Sequence, residues 1–491
     1  MHGLILKFMS KYQNMKSCLA ILLLLFVSFD LSAQNPATLP GDLEGNWKGS
    51  LDVQGLELPL VIHIKRDTSD ELAAELDSPL QNVFGLDAGH VEPAGDSFLI
   101  AVKSIRGSLL FHFDSEKDEW QGTWEQGSAR LPITLHRLPE NEQGIPPRPQ
   151  EPDTPLPYIV KEVTFRNETA GITLSGTLTL PDSSGHFPAV VLVSGSGPQD
   201  RDEGLLGHKP FYVLSDFLTR NGIAVLRYDD RGVGKSEGFY HIATTADFAE
   251  DARVAHAFLE QIPQVMKNCT GIVGHSEGGL IAALVANNDS TVDFIVMIAG
   301  PSIPMDSLII LQSRLINKKA GKSDDFIALN SSLQQQIFSI LREAEERNDD
   351  LTSIRLAVDG AFKNLSQAEK DTLNLDEAAI LQQIQFAISP WMRYILTLNP
   401  DDIFPKIKVP VLAIFGEKDL QVPPAENAKA LREHMDKSPL PDYRIEIFPG
   451  LNHLMQNAKT GLPEEYSRIQ ETMAPKVMKL ISDWILSHCK K

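Results

Sequence analysis

The segment Thr270-Gly-Ile-Val-Gly-His-Ser276-Glu-Gly-Gly-Leu-Ile-Ala-Ala-Leu-Val-Ala286 constrains the fold of this chain more than any other stretch. A short apolar run ends at glycine, a serine follows, and two more glycines open an apolar helical pattern. Small residues on both sides of Ser276 permit a sharp strand-to-helix turn, and the amino end of the helix then faces whatever sits at the strand end. A strand that turns straight into a helix is one half of a parallel crossover. Such a unit requires a mostly parallel sheet covered by helices on both faces.

The chain from Tyr158 onward keeps that rhythm. After a hairpin (159–165 and 172–180), apolar β runs fall at 189–193, 224–228, 271–273, 294–298, 411–415 and 443–448, with helical patterns between them. Residues 158–491 are read as this α/β domain. Between Gly300 and Val409 strand alternation stops and helical stretches such as 326–347 and 378–388 replace it. An insertion at about 301–408, placed after a strand end, predicts a helical cap over the carboxyl edge of the sheet; a surface subdomain is the alternative.

The amino-terminal part reads differently. Residues 44–138 alternate apolar and polar residues in short runs, which predicts an all-β unit, a small barrel or a sandwich, with Gly45-Asn-Trp47-Lys-Gly49 and Trp120-Gln-Gly-Thr-Trp124 as paired strands. Core or rim packing is the expected role of these tryptophans, ahead of a ligand platform. Residues 139–157 hold seven prolines and read as a semi-extended linker. Before the β unit, Lys11 and Lys16 precede the apolar run 19–29, and Leu31-Ser32-Ala33 supplies small residues for cleavage. Residues 1–33 are therefore read as a signal peptide, with export and no stable membrane span after cleavage. The 491-residue length accommodates these units. A net charge of −20 repels phosphate backbones, so nucleic acid is not an expected partner. Cys18, Cys269 and Cys489 lie far apart without a CxxC pair, and Cys269 and Cys489 are read as free thiols.

Two Gly-x-Ser-x-Gly strings occur, around Ser236 and Ser276. Ser236 follows its strand by a longer loop and precedes Gly238-Phe-Tyr-His-Ile, which does not open a helix, so Ser276 is the expected nucleophile. The Gly-Val-Gly-Lys-Ser236 string fails as a phosphate loop, because its first glycine would fall on Asp229. A serine hydroxyl needs an imidazole to take its proton and a carboxylate to hold that imidazole. In this topology both come later in the chain. Asp419 lies just past the 411–415 run, with Glu417 as local competitor. His453 emerges from the turn after 443–448, whereas His434 sits in a charged helical stretch and His488 near the terminus. The oxyanion needs two amides, one from Glu277 and one from the glycine-rich loop Ser194-Gly-Ser196-Gly197-Pro198, where Ser196 is the first candidate and Gly197 the second. Asp200, Arg201 and Asp202 beyond it are read as bracing that loop or remaining solvated, with binding of polar substrate groups the alternative. No metal-ligand cluster is spelled out, and no cofactor is expected.

With these residues in place, the region from about Tyr158 to the end resembles the α/β-hydrolases, and more narrowly secreted or periplasmic carboxylesterases of the EstD type, also described as serine aminopeptidase-like. The resemblance rests on residues 194–202, 229–236, 274–279, 389–394, 416–419 and 450–453. It implies Ser276 as nucleophile, Asp419 as acid and His453 as base, acting on a small-molecule ester, with short acyl chains expected, through an acyl-enzyme. Cleavage of amides by the same triad, and a cell-envelope binding protein whose β unit does the work, are the other readings. The resemblance also places Trp391-Met-Arg393-Tyr394 at the end of the cap, against a pocket or simply packed.

Overall fold

The computed structural model describes residues 43–489 apart from 54–55, 68, 79–82, 95–96, 115, 118, 128, 140–147 and 439–441; the expected signal peptide and most of the first half of the linker lie outside the described residues. The chain divides into two compact units, one up to Pro147 and one from Arg148, with Leu205–Gly207 grouped with the first.

Alternation along the first unit closes a barrel. Its strands are β1 (Gly45–Val53), β2 (Leu56–Arg66), β3 (Leu72–Ser78), β4 (Val83–Ala94), β5 (Ser97–Val102), β6 (Gly107–Asp114), β7 (Glu119–Gln126) and β8 (Ala129–Arg137), each antiparallel to the next, with β1 returning to β8. Side chains of period two point inward: Phe98, Ile100 and Val102 from β5, Leu109 and Phe111 from β6, Ile133 and Leu135 from β8. Trp47, Trp120 and Trp124 are buried among them, and the Trp120 ring meets Trp47, Phe98 and Phe111 at 6.0, 5.6 and 5.4 Å. These tryptophans are core residues. The strands that carry them flank β8 on opposite sides and do not pair with each other; their rings meet across the barrel interior.

The second unit holds an eight-stranded sheet in the order β16-β15-β14-β13-β11-β12-β10-β9. The strands are β9 (Ile159–Asn167), β10 (Ile172–Leu180), β11 (Phe187–Val193), β12 (Ala224–Tyr228), β13 (Val265–His275), β14 (Phe294–Ile298), β15 (Val411–Gly416) and β16 (Tyr443–Phe448). From β12 to β16 the strands run parallel, and β12, β14 and β15 are buried throughout; β14 and β15 accordingly read as unbroken apolar runs, and β12 is interrupted only by Arg227, which is buried and paired with Asp202. Helices α1 (Pro210–Arg220), α2 (Thr245–Leu259) and α3 (Glu277–Asn288) connect the first parallel strands. Leu218 of α1 packs in one apolar layer and Leu259 of α2 and Leu280 of α3 in the other. This is the α/β-hydrolase fold. Order reverses around β11, with β12 on one side and β13 on the other, so the loops after β11 and β13 face each other at the carboxyl edge.

The cap follows β14 and consists of α4 (Met305–Lys319), α5 (Asp324–Arg347), α6 (Leu351–Lys363), α7 (Gln367–Thr372), α8 (Glu377–Ala387), α9 (Pro390–Ile395) and α10 (Pro400–Ile403). Ser323, Asp350, Ser366, Asp376, Ser389 and Asn399 each cap the helix that follows by accepting a backbone N–H, which explains where these helices start. After β15, α11 (Pro424–Met435) leads to β16 and α12 (Pro475–His488) closes the chain.

Two features differ from the sequence reading. Part of the expected linker is fastened to the second unit: Arg148 donates to the Ile469 and Ser467 carbonyls at 2.7 and 3.0 Å, and Gln150 pairs with the backbone of Thr472 and Met473. These two side chains satisfy backbone groups of a loop that has no sheet partner. Cys269 on β13 and Cys489 after α12, read as free thiols, form a disulfide, with Cα atoms 5.5 Å apart. Sequence separation of 220 residues hid the pairing; the return of α12 across the sheet creates it. Cross-linking so long a loop restricts the unfolded chain, an effect of about 2–4 kcal/mol. Cys489→Ser is expected to lower the melting temperature by several degrees under oxidising conditions, and a reductant is expected to do the same to the unaltered protein and nothing further to the variant.

Candidate active site

Ser276 sits between the last residue of β13 and the first of α3, with φ 53° and ψ −122°. That conformation is disfavoured for a residue with a side chain, and the packing around it leaves no alternative. A Cβ on Gly274 would overlap the Gly278 carbonyl, and one on Gly278 would overlap the Val193 carbonyl, so helix and strands approach backbone to backbone. The Ser276 N–H donates to the Ile298 carbonyl at 2.8 Å, and Ser276 is half-buried while His275 and Glu277 beside it are buried. The serine is thus lifted to the surface of the site by its own turn.

Asp419 and His453 meet at the same edge. The turn after β15 directs the Asp419 carboxylate inward, where Oδ1 accepts the N–H groups of Gln421 and Val422 at 2.8 and 2.9 Å and Oδ2 accepts His453 Nδ1–H at 2.8 Å. A carboxylate only accepts, so Nδ1 carries the proton and a neutral His453 keeps Nε2 as its lone pair. Both side chains are almost fully buried, at 5% and 0% exposure. No hydrogen bond links Ser276 Oγ to the His453 ring among the described residues; such contacts tighten with substrate. Glu417, the competitor, faces out and accepts the Gly450 N–H. His434 bonds the Ser302 carbonyl, and His488 lies against Trp484. Ser236 is buried between β-strand groups: its hydroxyl donates to the Asp229 carbonyl at 2.7 Å and accepts the Ser175 N–H at 2.9 Å.

The loop after β11 lies against the serine, where a Cβ on Gly195 would stand 3.1 Å from Ser276 Cβ. Its amides are largely spoken for. Gly195 N–H donates to Glu203 Oε1 and Gly197 N–H to Tyr240 Oη, both at 2.8 Å. Gly197, the second candidate for an oxyanion donor, is therefore committed to the phenol. Among the described residues nothing accepts the N–H of Ser196 or of Glu277. Arg201 braces the loop by binding Asp229, Glu162, Ser175 and Thr177, and Asp230 accepts Ser194 Oγ–H and Gln199 N–H at 3.0 Å each. Burial holds the Asp230 carboxyl well above the usual carboxylate range.

Four of these supports were not assigned a role from sequence. Glu203 holds Gly195 and also accepts His275 Nδ1–H at 2.8 Å, while His275 Nε2 donates to the His453 carbonyl at 3.1 Å. Burial works against a charge on His275, but the Glu203 carboxylate raises its pKa, and two acceptors on one ring suit the imidazolium. The neighbour of Ser276 thereby tethers the loop that carries His453, with ring centroids 4.8 Å apart. Asp230 and Tyr240 complete the set. Asp230 and His275 stood inside recognisable strings, but nothing in a string says which distant group each one bonds.

Among the described residues one cluster of metal-ligand type forms, Asp67, Glu71 and His90, and it belongs to the barrel. The large cavity of about 480 Å³ is lined by cap residues such as Arg355, Phe362 and Leu381 and by none of the site residues. No described helix is long and apolar enough to cross a membrane.

A family model described as serine aminopeptidase, S33, matches residues 207–375, a span that includes Ser276 and ends before Asp419 and His453. Among curated proteins, Esterase EstD of Thermotoga maritima is 27% identical over 339 residues, covering 67% of this chain and 70% of that protein. Among solved structures, the esterase PF2001 of Pyrococcus furiosus is 18% identical with a TM-score of 0.40, covering 70% of this chain and 97% of the other. Est1E from Butyrivibrio proteoclasticus, with ferulic acid bound, is 16% identical with a TM-score of 0.40, covering 67% and 100%.

The loop that carries His453 depends on a buried neutral histidine. His208 contacts Thr472 Oγ1, the Tyr466 carbonyl and Gln456 Nε2, and Gln456 in turn pairs with Asn452. Burial, helped by the nearby Arg148 charge, depresses the His208 pKa to about 4. The unfolded chain binds this proton near pH 6.5 and the folded chain resists it, so the contribution is complete above pH 6.5 and is lost as pH falls toward 4. Denaturant titrations across that window are expected to show falling stability, and His208→Gln is expected to flatten the fall.

Proposed function

We propose that this protein, an α/β-hydrolase of the EstD type, is an exported serine carboxylesterase acting on short-acyl esters. The observation that carries the reading is the buried His453–Asp419 hydrogen bond of 2.8 Å at the sheet edge where Ser276 emerges on its strained turn. Ser276 Oγ attacks the ester carbonyl as His453 Nε2 takes its proton, and Asp419 holds the imidazole and offsets the charge it gains. The negative oxygen then faces the Ser196 and Glu277 amides at the start of α3, where the helix dipole favours it. His453 returns the proton to the departing alkoxide, an acyl-enzyme remains, and water activated by the same imidazole releases the acid.

The name of the similar EstD supports an ester as substrate. The Cys269–Cys489 disulfide supports an oxidising compartment, in keeping with the expected signal peptide. The serine aminopeptidase family match favours a second reading, cleavage of aminoacyl amides by the same residues.

Hydrolysis of p-nitrophenyl esters of increasing acyl length, run beside aminoacyl p-nitroanilides, separates the two. Short esters are expected to turn over and anilides to remain intact. Ser276→Ala is expected to lower kcat by about 10⁴-fold or more with the melting temperature unchanged, and Ser236→Ala to leave the chemistry in place. Turnover retained in Ser276→Ala sinks the assignment, and preferred cleavage of anilides replaces the esterase reading with the peptidase one.

A further inference from the structure

The Glu277 side chain touches the cap and the loop after β11 at once. It is 3% exposed, and its carboxylate accepts three donors: Ser196 Oγ–H at 2.6 Å on Oε2, and Thr245 Oγ1–H and Trp391 Nε1–H at 2.8 Å each on Oε1. Ser196 and Glu277 are also the two residues whose amides are left for the oxyanion. One carboxylate therefore joins the side chain of one donor residue to the backbone of the other, across 81 residues of sequence. Its third partner, Trp391, comes from α9 at the end of the cap, 114 residues away. The Trp391 ring lies 5.9 Å from Phe386 of α8, so the indole is seated by the cap helices. A second contact runs the same way: the 240–242 turn packs against α9, and its Tyr240 holds the Gly197 amide beside Ser196.

We propose that Glu277 is a positioning residue that couples the seating of the cap to the spacing of the two oxyanion amides, through Trp391 on one side and Ser196 on the other. The inference rests on the reading of Ser276 as nucleophile and deepens it. Burial raises the Glu277 pKa, and the hydrogen bonds from Ser196, Trp391 and Thr245 act against that rise by favouring the carboxylate. Loss of the indole N–H lets the carboxylate turn, and the Ser196 hydroxyl turns with it. The amides then move relative to Ser276 without any change in the serine, His453 or Asp419. A cap that opens for substrate exchange would loosen the oxyanion site, and a cap that seats would assemble it.

The test uses the full-length protein and a fluorophosphonate probe. Ser276 Oγ forms a bond to phosphorus, the P–F bond breaks, fluoride leaves, the hydroxyl proton passes to His453, and the P=O oxygen takes the oxyanion's place. Intact-protein mass gives the labelling rate without assuming a natural substrate. Trp391→Phe and Ser196→Ala keep every backbone amide and are each expected to label about tenfold more slowly, with ester kcat falling in parallel and KM within about twofold; outright loss of an oxyanion donor costs 10²–10³-fold, and displacement should cost less. Arg393→Gln breaks a cap-internal bond from the same helix, Arg393 Nε to Glu345 at 2.5 Å, and is expected to label at the unaltered rate. Melting temperatures establish that each variant is folded. Labelling of Trp391→Phe and Ser196→Ala at the unaltered rate, or equal slowing in Arg393→Gln, overturns the coupling while leaving the nucleophile assignment standing. An unaltered protein that takes no label at Ser276 overturns the nucleophile assignment, and the coupling with it.

Discussion

Everything at the site depends on how closely α3 approaches β11 and β13. Because Gly274 and Gly278 have no side chains, the first turn of the helix meets the strand ends backbone against backbone, with the Val193 and Gly278 carbonyls in the space a Cβ would take. Ser276 is caught in that approach at φ 53°, a conformation that costs on the order of 1–3 kcal/mol and is retained because the apolar face of α3 is buried around it. The consequence is positional: the hydroxyl stands clear of the sheet, and the Glu277 amide points to the same side. A bulkier residue at either glycine would move the helix, and serine and amide would separate.

Around this fixed point the site is built from loops, whose backbone groups have no sheet or helix partner of their own. Carboxylates supply the partners. Glu203 takes the Gly195 amide, Asp230 the Gln199 amide, Asp419 the amides of Gln421 and Val422, and Glu277 the Ser196 hydroxyl. Part of the chain's acidic excess is thus internal, and it organises backbone that would otherwise be unsatisfied. His275 supplies the counter-charge for Glu203 and carries the order across to the His453 carbonyl, so the loop after β11 and the loop after β16 are held by one buried pair. Tethering of this kind limits how far Ser276, Asp419 and His453 can drift apart.

The barrel shows the opposite economy. Its interior is filled by Trp47, Trp120, Phe98, Phe111 and aliphatic residues from alternating positions, so its strands close on side chains.

Several elements were legible in the residues themselves. Buried parallel strands such as β14 and β15 are continuous apolar runs, and the helix starts in the cap are marked by Ser, Asp and Asn, because burial on two faces and unsatisfied amide groups act on nearest neighbours in sequence. The places of Ser276, Asp419 and His453 along the chain were legible because each stands just after a recognisable strand. What the sequence could not carry were the bonds between distant segments. Cys269 with Cys489, Glu203 with His275, Arg148 with the 467–469 backbone and Trp391 with Glu277 join residues that only the crossover of helices over a twisted sheet brings within 3 Å or within bonding distance. Local sequence determined which segments became strands and helices and where Ser276 could stand on a sharp turn; tertiary packing decided which amides stayed without an acceptor and which side chains held the others, because a hydrogen bond depends on where two groups finish in space and leaves no period or spacing along the chain.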